Sequence, residues 1–328
     1  MIPSTASSMI PHALCLVGRT LSQPKIDSLQ AGLRARGMVL TGSRWLSPRF
    51  ALDLYVDVPG PRDRAAAGGA SPGTAVGTAA GTVSVDTAAV VQDVRRALPQ
   101  VDVALVAIES RRKSLLVADM DSTLITSESI VEIAHLAGVG QAVSNLTSQA
   151  MRGRIDFAEA LIDRVKLVAG TPEAQVAALG HQADLTPGAA ALCATMAAAG
   201  ARLVMVSGGF TQISQVVGQR LGLHRTVANT LAVADGKLTG GLHLPIIDGQ
   251  MKAQILAEEC ASGNIWPDQV LAVGDGANDL PMIGAAGLGV AFYGKPLVQA
   301  AADAAINHSD LTTLLYFQGF SDDEIIHP

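Results

Sequence analysis

The chain is poor in cysteine, in aromatic residues and in clustered positive charge. Its 328 residues include three cysteines, Cys15, Cys193 and Cys260, and none of them stands in a C-x-x-C spacing. This scatter predicts neither a disulfide framework nor a zinc site, and it favours a reducing compartment such as the cytoplasm. The net charge is -6 and basic runs are missing, so we expect no nucleic-acid partner.

The sequence also lacks the patterns of a signal peptide and of a membrane span. The first residues contain Pro3 and Pro11 but no early Lys or Arg, which excludes the charged region of a signal peptide. The most hydrophobic window, residues 188–206, is mostly alanine, contains Arg202 and is interrupted by Gly200. It predicts a helix followed by a strand. We therefore expect no membrane partner.

The length and the alanine-rich, apolar composition predict two domains of α/β type. In residues 1–110, apolar alternations predict strands at 13–17, 52–58 and 103–108, with a weak strand near 38–40 and helices at 23–36 and 87–98. This β-α-β-β-α-β order is the ferredoxin-like arrangement. Residues 59–82 contain no Leu, Ile or aromatic residue and predict a mobile insertion.

Two acids follow an apolar run in residues 114–124, which read S-L-L-V-A-D-M-D-S-T-L. The run predicts a strand that is buried on both faces of a parallel sheet, with Asp119 at the end where such sheets bind ligands. In an extended chain the side chains of Asp119 and Asp121 point the same way, and their repulsion favours a hard cation such as Mg²⁺. The alternative is a helix N-cap cluster, because Asp, Ser and Thr accept hydrogen bonds from free helical N–H groups.

A second acidic segment follows the strand predicted at 270–273. Asp275 comes at the end of that strand, and Asp279 lies four residues further on. A plain turn would explain a single glycine-rich, acidic loop. Two such loops at the ends of buried strands more readily complete a metal site.

Two other segments offer positive charge or backbone N–H groups. Ser207-Gly208-Gly209 stands between a predicted strand and a predicted helix, where it predicts either a phosphate cradle or a tight turn. Lys252 lies in the first turn of a predicted helix, the unfavourable end of the helix dipole for a cation. A solvated surface lysine is the alternative.

Residues 128–183 predict helices with short joins, and two charged residues there are candidates for binding. Arg164 shares the apolar face of the predicted helix 156–168. Either the aliphatic part of Arg164 packs against apolar residues while its guanidinium group reaches water, or the guanidinium group binds a carboxylate in a cleft. Glu128 precedes a helical pattern, where an acid is also favourable for the helix itself.

Together these residues resemble the haloacid dehalogenase-like phosphatases. The resemblance covers roughly residues 115–308, and four motifs carry it: Asp119-Met120-Asp121-Ser122-Thr123, Ser207-Gly208-Gly209, Lys252, and Gly274-Asp275-Gly276-Ala277-Asn278-Asp279. A second set is similar to family members that hydrolyse O-phosphoserine in the last step of serine biosynthesis: Glu128, Met151-Arg152-Gly153, Asp156-Phe157 and Arg164. Residues 1–110 resemble an ACT-like domain.

The resemblance implies a Rossmann-like core over residues 111–328, with a parallel sheet and a small helical cap inserted at 127–185. It implies that Asp119 attacks phosphorus and that Asp121 acts as acid and then as base. Mg²⁺ would be held by Asp119, the backbone carbonyl of Asp121, and Asp275, with Asp279 nearby. The implied ligands of the substrate are Ser207, Gly208, Lys252 and Asn278 for the phosphate, Glu128 and Arg164 for the charged groups, and Met151 and Phe157 as a shield from water. A homodimer is also implied.

Two other functions stay open at the level of the sequence. The chain could hydrolyse a neighbouring phosphomonoester such as phosphohomoserine, or transfer the phosphoryl group to another alcohol. It could also be a regulatory amino-acid-binding protein whose catalytic half is vestigial. The presence of Asp119, Asp121, Lys252 and Asp275 argues against that last function.

Overall fold

The structure, a computed structural model, describes residues 9–59, 87–151 and 157–328. The chain divides into two units, Met1–Glu109 and Ser110–Pro328. No helix in the described part of the chain is long and apolar enough to cross a lipid bilayer.

The first unit has one antiparallel sheet with the strand order β2-β3-β1-β4. Its elements are β1 (Met9–Val17), α1 (Gln23–Ala35), β2 (Val39–Ser47), β3 (Ala51–Pro59), α2 (Thr87–Ala97) and β4 (Asp102–Ala107). Leu14 and Leu54 of the strands and Leu33 and Val94 of the helices share one buried apolar core. The predicted β-α-β-β-α-β order is confirmed.

Two predictions for the first unit have different outcomes. The strand expected near residues 38–40 is much longer, because β2 pairs with β3 from Val39 to Ser47. Most of its side chains are exposed, so no apolar alternation marked them in the sequence. The mobility expected for residues 59–82 concerns a segment that, apart from Pro59, lies outside the described residues, and it stays a prediction.

The second unit is built around a mostly parallel sheet with the order β11-β10-β9-β5-β6-β7-β8. Only the β7 and β8 pair is antiparallel among the strand pairs described for this unit. Its strands are β5 (Leu115–Ala118), β6 (Arg202–Phe210), β7 (Arg225–Ala234), β8 (Lys237–His243), β9 (Val270–Gly274), β10 (Leu288–Phe292) and β11 (Ala304–Ile306). Its helices are α3 (Ser129–Leu136), α4 (Gly140–Met151), α5 (Phe157–Leu167), α6 (Glu173–Gln182), α7 (Ala189–Ala198), α8 (Thr211–Arg220), α9 (Gly249–Gly263), α10 (Leu280–Ala285), α11 (Pro296–Ala301) and α12 (Thr313–Phe317).

Strand β5 lies at the centre of this sheet and is fully buried, as its apolar sequence predicts. Its last residue, Ala118, pairs with Met205 of β6 on one side and with Val273 of β9 on the other. Because parallel strands end at the same edge of a sheet, the segments after β5, β6 and β9 are neighbours. The polar residues that follow these strands are therefore gathered at one edge.

Helices α3 to α6 form an insertion between β5 and α7, which we call the helical insertion. Its two ends meet in an antiparallel bridge between Ile125 and Leu185, and the amide of Thr126 donates to the carbonyl of Asp184 at 3.0 Å. A second attachment joins the amide of Gly170, after α5, to the carbonyl of Leu238 in β8 at 2.8 Å. The two ends of the helical insertion thus pair with each other, and the region after α5 is attached to the sheet at β8.

The β7–β8 hairpin closes at an Asp-Gly sequence, which is typical of tight hairpin turns. Asp235 and Gly236 form its two-residue turn and both have positive φ, 50° and 71°. That conformation is the one that Asp-Gly turns adopt between antiparallel strands.

Candidate active site

Asp119 stands immediately after β5 and is almost fully buried. Its amide donates to the carbonyl of Val273 in β9 at 3.0 Å, and its Oδ1 accepts a hydrogen bond from the amide of Met120 at 2.7 Å. These two bonds fix the carboxylate at the edge where the ends of β5 and β9 meet. The second bond is of the kind expected if the motif is a helix N-cap cluster, because a side-chain oxygen accepts from the amide that follows it.

Lys252 provides the positive charge beside this carboxylate. Its Nζ lies 2.9 Å from Oδ2 of Asp119 and 2.6 Å from Oδ1 of Asp279, and the lysine side chain has no exposed surface. Burial by itself lowers the pKa of Lys252, but the charges of the two carboxylates outweigh burial and raise the pKa above its ordinary value. The interpretation of Lys252 as a solvated surface residue is therefore wrong.

Helix α9 places Lys252 at this position because it begins beside the loop that follows β9. Asp248 caps the helix by accepting from the amide of Met251 at 2.9 Å. A β-carbon at Gly249 would lie 2.8 Å from the carbonyl oxygen of Asn278, so only glycine allows this approach. Asn278 itself is half-buried in the short turn Ala277–Asp279.

Asp275 and Asp279 complete an acidic cluster with Asp119. One oxygen from each of these three carboxylates lies within 4.8 Å of the others. Oδ2 of Asp279 accepts from the amide of Gly276 at 2.9 Å, which fixes its orientation. Gly274 makes room for the cluster, because a β-carbon there would lie 2.3 Å from Cγ of Asp279.

The electrostatics of the cluster call for more positive charge than Lys252 provides. Burial raises the pKa of Asp119 well above its usual value, and the charge of Asp279 raises it further. Burial, with the charges of Asp279 and Glu128, raises the pKa of Asp275 to about 6. Three carboxylates face one ammonium group, and carboxylate oxygens are the ligands that hard divalent cations prefer. The residues therefore fit a bound metal ion.

Asp121 lies in an irregular turn, Met120–Leu124, within which its own backbone is extended, with φ of -64° and ψ of 133°. Ser122 in this turn has a φ of 55°. Oδ2 of Asp121 accepts from the hydroxyl of Ser129 at 2.6 Å. Burial raises the pKa of Asp121 to about 7 despite the hydrogen bonds from Ser129. A carboxyl group with this pKa can give and take protons near neutral pH.

The Ser207-Gly208-Gly209 segment belongs to β6 and is not the loop that the sequence predicts. The pairing of β6 with β7 is irregular between Val206 and Phe210, so this segment bulges at the sheet edge. The side chain of Ser207 is buried, and its Oγ accepts from the amide of Gly209 at 2.9 Å. A β-carbon at Gly209 would lie 3.0 Å from Oδ2 of Asp121, which shows how closely the segment approaches the Asp121 turn.

Asn229 of β7 holds this bulge, and the sequence analysis missed it. Its Nδ2 donates to the carbonyl of Gly208 at 2.8 Å, and its Oδ1 accepts from the amide of Ile247 at 2.8 Å. Asn229 is almost completely buried. The only signal in the sequence is a polar residue within a strand pattern, which many edge strands also contain.

Glu128 and Arg164, the charged residues expected to bind substrate, lie within electrostatic range of each other. Oε1 of Glu128, at the N-cap of α3, accepts from the hydroxyl of Ser122 at 2.7 Å. Nε of Arg164 in α5 donates to the carbonyl of Ala160 at 3.0 Å. Burial lowers the pKa of Arg164, and the charge of Glu128 partly opposes this.

Other predicted residues of the helical insertion are less completely described. Met151 ends α4 and Phe157 begins α5, but their side chains lie outside the described part of the structure. Residues 152–156, which include the predicted Arg152-Gly153 and Asp156, are outside it altogether. The shielding role of Met151 and Phe157 stays a prediction.

Comparisons with known proteins agree on one family. A model of the haloacid dehalogenase-like hydrolase family matches residues 116–284. A phosphoserine phosphatase of Streptomyces coelicolor is 43% identical over 227 residues, which are 69% of this chain and 55% of that protein. Phosphoserine phosphatase SerB2 of Mycobacterium tuberculosis is 35% identical over 318 residues, 96% of this chain and 72% of that protein.

A solved structure gives the same result. It is described as the phospho-aspartyl intermediate analogue of a phosphoserine phosphatase, and it superposes with a TM-score of 0.59 at 36% identity. The match covers 63% of this chain and 99% of the solved chain. The fold predicted from the motifs is confirmed.

Proposed function

The chain belongs to the haloacid dehalogenase-like hydrolases, and we propose that it hydrolyses O-phosphoserine to serine and inorganic phosphate. One observation carries the proposal most directly: the buried contacts of Lys252 with Asp119 and Asp279, beside Asp275. This arrangement offers a nucleophilic carboxylate together with positive charge for an anionic substrate. The relatives named phosphoserine phosphatase support the choice of substrate.

We propose Mg²⁺ as the metal. The carboxylates of Asp119 and Asp275 and the backbone carbonyl of Asp121 would hold it, with Asp279 next to them. When bound, the ion neutralises part of the phosphate charge and polarises the phosphoryl oxygens. Asp279 already accepts from Lys252 and from the amide of Gly276, so it is better suited to orient the site than to bind the ion directly.

In the first step a carboxylate oxygen of Asp119 attacks phosphorus. The bond from phosphorus to the serine oxygen breaks, and its electron pair goes to that oxygen, which takes a proton from Asp121. The products are serine and an aspartyl-phosphate at Asp119. Lys252 and the backbone of the Ser207-Gly208 segment stabilise the charge on the phosphoryl oxygens.

In the second step Asp121, now a carboxylate, takes a proton from a water molecule as that water attacks phosphorus. The bond from phosphorus to Asp119 breaks, and its electron pair restores the Asp119 carboxylate. The pKa of about 7 suits Asp121 to both roles, because the group can be protonated for the first step and ionised for the second.

The substrate is recognised by two opposite charges at the helical insertion. Arg164 would bind the carboxylate of phosphoserine, and Glu128 would bind its ammonium group. Both residues lie in electrostatic range of each other, and Glu128 also lies in range of Asp275. A zwitterionic amino acid attached to phosphate matches this distribution of charge. Met151 and Phe157 would shield it from water.

We also propose that the first unit is an ACT-like domain. Its β-α-β-β-α-β order and its single antiparallel sheet support this assignment.

The proposal is tested by measuring phosphate release from O-phospho-L-serine in Mg²⁺, with an EDTA-treated sample as the control. A panel with O-phosphohomoserine and with an added acceptor alcohol separates the alternatives. We expect Mg²⁺-dependent release that is fastest with phosphoserine. If another ester reacts faster, that ester replaces phosphoserine as the proposed substrate. If no ester releases phosphate, the enzymatic function is rejected.

A further inference from the structure

Two hydrogen bonds cross between the Asp121 turn and the beginning of α3. The hydroxyl of Ser129 donates to Oδ2 of Asp121 at 2.6 Å, and the hydroxyl of Ser122 donates to Oε1 of Glu128 at 2.7 Å. The residues are consecutive on both sides, 121 and 122 in the turn and 128 and 129 at the helix. The turn that carries the acid is therefore tied twice to the helix whose N-cap carries a substrate-binding residue.

We propose that Ser129 is a positioning residue for proton transfer: it holds Oδ2 of Asp121 and leaves Oδ1 to exchange the proton. The inference rests on the proposed function, because Asp121 protonates a leaving group only in an ester-cleaving enzyme. Oδ1 of Asp121 is buried and has no hydrogen-bond partner among the described residues. An oxygen that already accepts from Ser129 is a poorer place for a proton than one without a partner.

Ser129 is itself held in place and can therefore fix another group. It is the first residue of α3 and is almost completely buried, so its side chain has little freedom to turn away. Its backbone amide is also one of the amides that a helix leaves without a partner inside its first turn. A hydrogen bond between a hydroxyl and a carboxylate is among the stronger ones in proteins.

Gly209 leaves the space that the hydrogen bond between Ser129 and Asp121 occupies. A β-carbon at position 209 would lie 2.7 Å from Oγ of Ser129, 2.8 Å from Cε of Met120 and 3.0 Å from Oδ2 of Asp121. Any side chain there would push Ser129 and Asp121 apart. The absence of a side chain at residue 209 thus keeps the hydrogen bond in place.

The test compares two esters that differ mainly in their leaving groups, phenyl phosphate and p-nitrophenyl phosphate. Phenolate needs a proton as it leaves more than p-nitrophenolate does, so a misplaced acid slows the first ester more. Neither ester carries the ammonium or carboxylate of serine, which keeps the result independent of amino-acid recognition. The quantity compared is kcat/KM, which covers the steps up to transfer of the phosphoryl group to Asp119.

We expect Ser129→Ala to lower kcat/KM for phenyl phosphate by about 10- to 100-fold, a part of the ~10²–10⁴ that a positioned acid contributes. The value for p-nitrophenyl phosphate should change much less. Ser129→Thr keeps the hydroxyl and should restore most of the lost activity. Ser127→Ala is the matched control, since this nearby hydroxyl makes no hydrogen bond described in the structure. Thermal unfolding of each variant checks that it folds.

Gly209→Ala tests the same hydrogen bond with a second variant, which can be used even if Ser129→Ala does not fold. It should produce the same selective loss, and the loss should be smaller when Ser129→Ala is already present, because the two changes disturb one contact. Equal losses on both esters, no loss, or no rescue by Ser129→Thr would overturn the inference alone. A wild-type chain inactive on every ester would overturn the proposed function and the inference with it.

Discussion

Nζ of Lys252 lies 2.6 Å from Oδ1 of Asp279, and neither side chain has any exposed surface. The pair joins α9 to the turn after β9, and the same ammonium contacts Asp119 at 2.9 Å. A buried ammonium is tolerated only when it is paired and hydrogen-bonded. The single charge of Lys252 therefore stabilises the fold and, in the proposed function, also binds the phosphate.

Removing that charge should affect both stability and activity. Lys252→Met leaves Asp119 and Asp279 buried without their cation, so the free energy of unfolding should fall by about 3–5 kcal/mol. Phosphate release should fall to background. Urea unfolding and phosphate release measure the two effects, and Lys237→Met, at an exposed position, is the control. Unchanged stability would mean that the pair is not buried in solution.

Asp119→Asn should abolish turnover, because an amide oxygen is a poor nucleophile and forms no acyl phosphate. The change is nearly isosteric and should leave the far-UV circular dichroism spectrum unchanged. Acid quenching of a reaction with radiolabelled substrate should trap labelled protein for the wild type but not for the variant. Near-normal activity of Asp119→Asn would end the proposed mechanism.

Metal binding should be visible without any turnover. A ligand that binds only the folded state at about 100 times its Kd stabilises it by ~2.7 kcal/mol. We expect MgCl₂ to raise the Tm of the wild type and to have little effect on Asp275→Asn, which loses one of the three clustered carboxylates. Asp268→Asn, an exposed acid before β9, is the control and should respond like the wild type. Equal shifts for the wild type and Asp275→Asn would place the metal elsewhere.

Arg164→Ala should weaken recognition of the amino-acid part of the substrate. A hydrogen bond to a charged group contributes about 1.5–3 kcal/mol, so KM for phosphoserine should rise by roughly 10- to 100-fold. Kinetics with p-nitrophenyl phosphate should be nearly unchanged. Lys166→Ala, exposed on the same helix, is the control. An equal loss on both substrates would remove the carboxylate-binding role of Arg164.

Acid stability should depend on Glu259 of α9, which is buried and accepts hydrogen bonds from Arg202 and Arg225. Burial alone raises the pKa of Glu259, but the two guanidinium groups outweigh it and lower the pKa. Because the folded state has the lower pKa, this stabilisation is present above the ordinary Glu pKa of about 4.3 and is lost as the pH falls further.

Glu259→Gln should therefore lower the free energy of unfolding at pH 7 by about 1–3 kcal/mol and flatten its decline below pH 4. The half-exposed arginines keep this effect below that of a fully buried pair. Urea unfolding across the pH range measures it, with Glu258→Gln as the exposed control. A variant as stable as the wild type at pH 7 would contradict the prediction.

Much of the site was predictable because its residues follow buried strands. The apolar runs before Asp119 and Asp275 predict β5 and β9, and parallel strands place their carboxyl ends at one edge. The Asp235-Gly236 turn is likewise local, since two residues set its backbone angles. In such cases neighbouring residues along the chain contain the necessary information.

Other features could not be predicted because they depend on contacts between distant segments. The sequence offered Lys252 either as a surface residue or as a phosphate ligand, and burial beside Asp119 and Asp279 excluded the first. Asn229 gave no signal, since its role comes from two backbone groups in other segments.

The sequence by itself determined the order of helices and strands in the first unit, the strands before Asp119 and Asp275, and the residue types available for phosphoryl transfer, because periodicity and strand ends are local properties. Only the tertiary structure decided which charges meet. The pairing of Lys252 with two carboxylates and the seat of Asp121 between Ser129 and Gly209 arise when separate segments pack together. Electrostatic and steric effects act through space over a few ångströms, so their outcome depends on packing and not on distance along the chain.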